Sequence, residues 1–174
     1  MPTMTERPGA FALRGKPLTL IGPELKPGDR APEFSVVDTA WQPVTLASTA
    51  GKVRVFSVVP SLDTGVCTAQ TKRFNEEAAR LGDKVAFYTI SMDLPYGQKR
   101  WCGDAGVTNV TTLADHIHAS FSQNYGTLVK EWRVASRAVF VVDAGGIIRY
   151  AEYVKEMPDQ PNYDAVLAAL KKLV

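Results

Sequence analysis

Two apolar, β-branched runs, Val53-Arg-Val-Phe-Ser-Val-Val59 and Val85-Ala-Phe-Tyr-Thr-Ile-Ser-Met92, flank a stretch in which apolar residues return with helical spacing. Phe74, Ala78 and Leu81 stand at i, i+4 and i+7 on one helix face, and Gly82 follows as a stop signal, so the spacing predicts a helix over roughly residues 65–81. Two strands joined by such a helix make a βαβ crossover and run parallel. Pro95 stands where a second helix would begin, one that carries Cys102 and ends before Gly106. Asn109 to Leu113 reads as a strand, and 117–125 as a short helix followed by Gly126. Further on, Ala138 to Asp143, the turn Ala144-Gly145-Gly146 and Ile147 to Val154 form the clearest hairpin in the chain. Tyr163, Val166, Leu167, Leu170 and Val174 keep helical spacing, with Asp164 early and Lys171 and Lys172 late, as the helix dipole favours.

Upstream, Phe11 to Leu20 reads as two short extended runs around Gly15, and Pro23 to Pro32 as a loop. Glu33 to Leu46 alternates apolar and polar residues around a turn at Thr39 to Gln42, which predicts a second pair of short strands. Residues 1–10 contain Pro2, Pro8 and Gly9 and lack either periodicity; they are expected to form a flexible extension to a domain spanning 11–174. The order of elements predicts an α/β fold of the thioredoxin-like kind: a central mixed sheet flanked by helices, with an N-terminal β-hairpin.

Composition narrows the function classes. A chain of 174 residues fits one domain. Its 20 Lys and Arg against 18 Asp and Glu, with no block of like charges, give no footprint for nucleic acid. Glu6, Arg7 and Pro8 stand where an export signal would place its apolar run, and no apolar stretch is long enough for a membrane helix, so a cytoplasmic protein is expected. Two cysteines, Cys67 and Cys102, exclude a disulfide framework and zinc knuckles. Any cysteine chemistry involves one thiol or this single pair.

Cys67 lies in Pro60-Ser61-Leu62-Asp63-Thr64-Gly65-Val66-Cys67, directly after a predicted buried strand and in the first turn of a predicted helix. The first N–H groups of a helix have no intrahelical partners and carry about half a positive charge, which favours a thiolate there. Thr64 can aim a hydroxyl into the same space, and Pro60 and Gly65 shape the turn. On this local pattern Cys67 is either a nucleophile or an inert buried thiol, as many free cysteines are.

The segment PSLDTGVC contains the P-x-x-x-T-x-x-C signature of peroxiredoxins, and GDRAPEF at Gly28 to Phe34 is similar to that family's opening segment. TGVCTAQTKRFNEEA, the second cysteine in ISMDLPYGQKRWCG and the downstream SRAVFVVD resemble the bacterial thiol peroxidase group, atypical two-cysteine peroxiredoxins. The resemblance runs from about Phe11 to the C-terminus. It implies that Cys67 is the peroxidatic cysteine, that Thr64 and Arg137 hold thiolate and peroxide, and that Pro60 and Val66 complete the substrate site. Cys102 is then the resolving cysteine, forming a Cys67–Cys102 disulfide within one chain.

The resemblance further implies a cycle without an added cofactor or metal, with hydrogen peroxide and organic hydroperoxides as substrates and thioredoxin as reductant. It also implies a homodimer, and an apolar entrance to which Phe56, Leu94 and Trp101 contribute. Arg54 and Arg133 are read as surface charges. Gly126 to Arg137 is read as a loop, expected to be shorter than in some members of the family that the chain resembles. A disulfide needs Cα atoms about 4.4–6.8 Å apart, whereas two helices separated by a strand have axes roughly 10 Å apart or more, so the first turn at Cys67 and the short helix at Cys102 are expected to unwind in part when it forms.

Other chemistries fit less well. A dithiol oxidoreductase would need Cys-x-x-Cys, but positions 64 and 70 are Thr and Gln. A cysteine hydrolase would pair Cys67 with His116 or His118, and His116-Ile-His118 could bind a metal, yet neither histidine has a recognisable context. A non-catalytic binding module on the same fold is the remaining alternative.

Overall fold

A computed structural model describes residues 4–174. Strands β1 (Glu6–Leu13), β2 (Lys16–Ile21), β3 (Ser35–Val37), β4 (Pro43–Thr45) and β5 (Val53–Val58) precede helix α1 (Gly65–Leu81). There follow β6 (Val85–Ser91), α2 (Pro95–Ala105), β7 (Thr111–Ala114), α3 (Ser120–Asn124), β8 (Leu128–Val129), β9 (Val134–Ala135), β10 (Ala138–Val142), β11 (Ile148–Tyr153) and α4 (Tyr163–Lys171). The main sheet has the order β11-β10-β5-β6-β7-β3-β4. Strands β5, β6 and β7 are parallel, while β10, β11, β3 and β4 add antiparallel edges. The sheet is therefore mixed, as the element order predicts, and the fold is the expected thioredoxin-like α/β arrangement with its N-terminal hairpin.

Every residue of β5 and β10 is buried, because helices and loops cover both faces of the sheet centre. One face carries an aromatic core of Phe34, Phe56, Phe121, Tyr125 and Phe140, in which Phe121 and Tyr125 stack with ring centroids 4.0 Å apart. The other face packs Val55, Phe74, Phe87, Val139, Val166 and Leu170 beneath α1 and α4. Helix α1 forms where the pattern places it: Thr64 caps its start, Phe74 and Ala78 face the sheet, and Gly82 at φ 57° ends it in a conformation that suits glycine. Among the described residues no helix is long and apolar enough to cross a membrane.

Three local expectations need correction. Residues 6–10 are part of β1 and not a loose extension, whereas residues 1–3 lie outside the described residues. The register shifts between Arg7 and Phe11, which accommodates Pro8 and Gly9 (φ 72°) in an edge strand whose bulge hides the alternation. Arg7 then anchors the strand, donating from Nε to Gly22 O (3.0 Å) and from Nη2 to Gly126 O (2.5 Å), with its guanidinium over the Tyr153 ring. Gly22 and Gly126 pass so closely that a Cβ on Gly22 would meet Gln123 O and one on Gly126 would meet Pro23 O. Only glycine fits at either position.

The helix expected over 117–125 begins at Ser120, because Ala119 takes a left-handed conformation (φ 52°) and the Asp115 carboxylate receives the N–H groups of Phe121 and Ser122. Burial pushes the Asp115 carboxyl up from its ordinary range, opposed by these hydrogen bonds. The segment from Gly126 to Arg137 is not a bare loop. It contains the short hairpin β8–β9, which joins β1 and β2 in a second, four-stranded sheet.

Candidate active site

At the carboxyl end of β5 the chain turns through Val59, Pro60 and Leu62, all buried, into α1. The Thr64 hydroxyl oxygen accepts from Cys67 N–H (3.3 Å) while its own proton goes to Ser61 O (3.3 Å). Thr64 thus acts as the helix cap and seats Cys67 at the third helical position. Its hydroxyl is engaged with backbone and not with the sulfur. Cys67 is 0% exposed and packs with Val59 and Leu62, against which Trp101 also packs. Val66 lies half-buried beside it.

Arg137, immediately before β10, is 1% exposed and reaches the sulfur: its Nη2 donates to Cys67 Sγ at 3.4 Å. Its Nη1 donates to Gln70 Oε1 (3.0 Å), and Nε and Nη2 both donate to Met157 O (3.0 and 2.8 Å). These bonds aim a planar group with five fixed N–H donors, so the face toward Cys67 is set by its other partners. Gln70 was not singled out in the sequence, although it lies one turn after Cys67 on the same helix face. It is 0% exposed, and its Nε2 donates to Ser57 Oγ (2.7 Å), which fixes Oε1 toward the guanidinium.

Met157 is the other unforeseen contributor. Its carbonyl is held through strand β1, where Ala12 N–H donates to Lys155 O and Met157 N–H donates to Ala12 O, each at 2.8 Å. The N-terminal sheet therefore positions Arg137 indirectly. A backbone carbonyl leaves no mark in a sequence, so no residue type could have pointed to it.

A buried sulfur faced by a guanidinium at a helix N-terminus sits where negative charge is favoured from two directions.

Cys102 lies elsewhere. It is half-buried on α2 in the core cluster beneath α1 and α4, with Sγ 3.8 Å from Thr112 Oγ1, and both cysteines are free thiols. Burial pushes the Cys102 thiol up from its ordinary value, and the Thr112 hydroxyl opposes that shift. Trp101, its neighbour, belongs to both clusters and stands between the two cysteine environments.

The remaining readings divide. Leu94 is 51% exposed before α2, whereas Phe56 is sealed in the aromatic core on the opposite face and cannot line an entrance to Cys67. Arg133 is exposed as expected, but Arg54 is not a surface charge. It is 1% exposed and donates to Thr49 Oγ1 (3.1 Å) and Asp143 O (2.6 Å), because β5 is covered on both faces along its whole length. Burial lowers the Arg54 pKa from its ordinary value. His116 packs edge-on against Trp41 and is not part of the Cys67 cluster.

The Redoxin family model matches residues 26–167. A thiol peroxidase of Bacillus subtilis is 52% identical over 164 residues, covering 94% of this chain and 98% of the relative. The chain belongs to the Redoxin family. Within it, the chain falls in the thiol peroxidase group of peroxiredoxins, with a Staphylococcus aureus thiol peroxidase 49% identical over 94% of the chain and 98% of that relative. A peroxiredoxin-like protein from Aquifex aeolicus has a solved structure that superposes with a TM-score of 0.89 at 40% identity, covering 98% of this chain and 99% of that one.

Proposed function

We propose that the protein is a peroxidase that reduces hydrogen peroxide and organic hydroperoxides with Cys67 as its nucleophile. The observation that carries this reading is the Arg137 guanidinium held 3.4 Å from a fully buried Cys67 Sγ in the first turn of α1. The thiolate attacks the terminal peroxide oxygen; the S–O bond forms as the O–O bond breaks. Cys67 becomes a sulfenic acid, and the displaced oxygen takes a proton to become water or an alcohol. Arg137 stabilises both the thiolate and the charge growing on the displaced oxygen. The hydroxyl of Thr64 turns from Ser61 O toward the peroxide, and the first-turn N–H of Val66, without an intrahelical partner by position, adds a donor. Pro60 keeps the turn rigid behind them.

Cys102 then attacks the Cys67 sulfenic sulfur. A Cys67–Cys102 disulfide forms and water leaves with the sulfenic hydroxyl and the thiol proton. A thioredoxin-type dithiol restores both thiols and is itself oxidised to a disulfide. Because the two sulfurs occupy different core clusters, α2 and the first turn of α1 open for this step. The high identity to thiol peroxidases supports the activity, and two residues of opposite environment support the division of roles. We assign the protein to the cytoplasm, where such a disulfide is transient, and expect it to act as a homodimer.

Mass spectrometry after one equivalent of cumene hydroperoxide tests the cycle. A Cys67–Cys102 linked peptide pair is the expected product. Stable Cys67 sulfenic acid with untouched Cys102 thiol would show a one-cysteine cycle instead.

A further inference from the structure

Between the two cysteine-bearing segments lies a polar network that the peroxide chemistry does not use. Its centre is Asp93, just after β6. Asp93 Oδ1 accepts from Ser61 Oγ (2.7 Å), and Oδ2 accepts from Leu62 N–H (2.8 Å) in the turn that leads to Cys67. Oδ2 also accepts from Ser91 Oγ (2.8 Å), whose oxygen receives Gln98 Nε2 (3.1 Å) from α2. Gln98 is 0% exposed, donates also to Leu113 O (3.0 Å), and sits one turn before Cys102 on the same face of its helix. The donors run in one direction, from Gln98 through Ser91 to the carboxylate, and the carboxylate is met from the other side by the turn before α1. A carboxylate accepting three such bonds is a strong fixed point, because hydrogen bonds to a charged group are roughly twice as strong as neutral ones.

We infer that Asp93 is a positioning residue, a latch that holds the Cys67 turn closed for attack on peroxide and ties it to the helix that must open for resolution. The inference rests on the two-cysteine cycle proposed above. It has two arms of opposite consequence. The arm to Ser61 and Leu62 keeps the Cys67 turn in the geometry facing Arg137, so its loss slows sulfenic acid formation. The arm through Ser91 to Gln98 holds α2 folded at the turn preceding Cys102, so its loss eases the unwinding and speeds condensation of the Cys102 thiol with the Cys67 sulfenic acid.

Rapid mixing of the full chain with cumene hydroperoxide, followed by acid quench and mass spectrometry, separates the two rates. Asp93→Asn is expected to slow the sulfenic step about tenfold and to speed disulfide formation several-fold, the loss of charge-assisted hydrogen bonds setting the scale. Ser61→Ala is expected to slow only the first step, and Gln98→Met to speed only the second. Opposed changes of this kind do not follow from a general loss of stability, which thermal melts of each variant record separately. Should Asp93→Asn fail to fold, the two single-arm variants decide the matter. Both rates moving together, or single-arm variants within twofold of the parent at both steps, would overturn the latch. A parent chain that forms no disulfide would overturn the cycle and the latch with it, whereas a normal parent with unresponsive variants would overturn the latch alone.

Discussion

The two cysteines of this chain are chemically identical and physically unlike. Cys67 is fully buried, yet its sulfur faces a guanidinium and the start of a helix. Cys102 is only half-buried, its sulfur has one polar contact, the Thr112 hydroxyl, and burial pushes its thiol toward the protonated form. Burial raises the Cys102 thiol, whereas the more deeply buried Cys67 has a guanidinium at its sulfur, so burial alone does not describe a thiol's surroundings. The difference suits the proposed cycle, in which Cys67 attacks the peroxide and Cys102 brings the proton that leaves in water.

The largest expected effect breaks the comparison at its centre. Cys67→Ser should lower peroxide consumption on the order of a thousandfold or more, as removal of a nucleophile does elsewhere. Cys102→Ser should still consume one equivalent of peroxide per chain and then stop under thioredoxin supply. A stoichiometric peroxide assay beside a turnover assay separates the two outcomes.

Next in size is the group that makes the environments differ. Arg137→Met should cost roughly 100- to 1000-fold in the rate of sulfenic acid formation, the scale of removing one preorganised donor. It should also lower the melting temperature, because Gln70 Oε1 and Met157 O lose buried partners. Arg137→Lys should recover little, since one ammonium cannot face Cys67, Gln70 and Met157 O in a fixed plane. Gln70→Leu removes only the brace. A loss of about tenfold in the same rate is expected, with about 1–3 kcal/mol of stability, measured by stopped-flow kinetics and denaturant unfolding.

The smallest effect sharpens the Cys102 side. Its folded-state thiol value is raised above the unfolded one, so the folded chain keeps this proton where the unfolded chain has lost it. The associated stability is fully present below about pH 8.5 and is lost as pH rises through the folded value. Denaturant midpoints should therefore fall above that pH in the parent more steeply than in Cys102→Ser. Thr112→Val, which removes the hydroxyl that opposes the shift, should leave the onset in place and extend the fall to higher pH.

Much of this architecture is legible in the chain. The crossover β5–α1–β6 and its cap at Thr64 follow from β-branched runs, a helical period and a stop glycine, all of which act over a few residues. The same holds for the hairpin β10–β11. The edge strand β1 escaped because a bulge and Pro8 interrupt its alternation, and its stability comes from Arg7 reaching Gly126, far along the chain. Strands β8 and β9 escaped because two residues each carry no period. In the site, Cys67, Thr64 and Arg137 were marked by their motif, but Gln70 looked like an ordinary helix residue and the Met157 carbonyl like nothing at all. Arg54 was misread because a single charge inside an apolar run has the same sequence signature whether it faces water or backbone carbonyls.

By itself, then, the sequence determined which thiol opens a helix, since helix starts and strand ends are written in local spacing and capping residues. It also determined that only one other thiol exists to meet it. Tertiary structure alone decided what each sulfur faces. It brought Arg137 to Cys67, braced it with Gln70 and Met157, and left Cys102 in a separate apolar cluster behind Trp101. The physical reason is range: propensity and periodicity act along a few turns of chain, whereas the field at a sulfur is made by groups that only the packing of distant segments brings within hydrogen-bond reach.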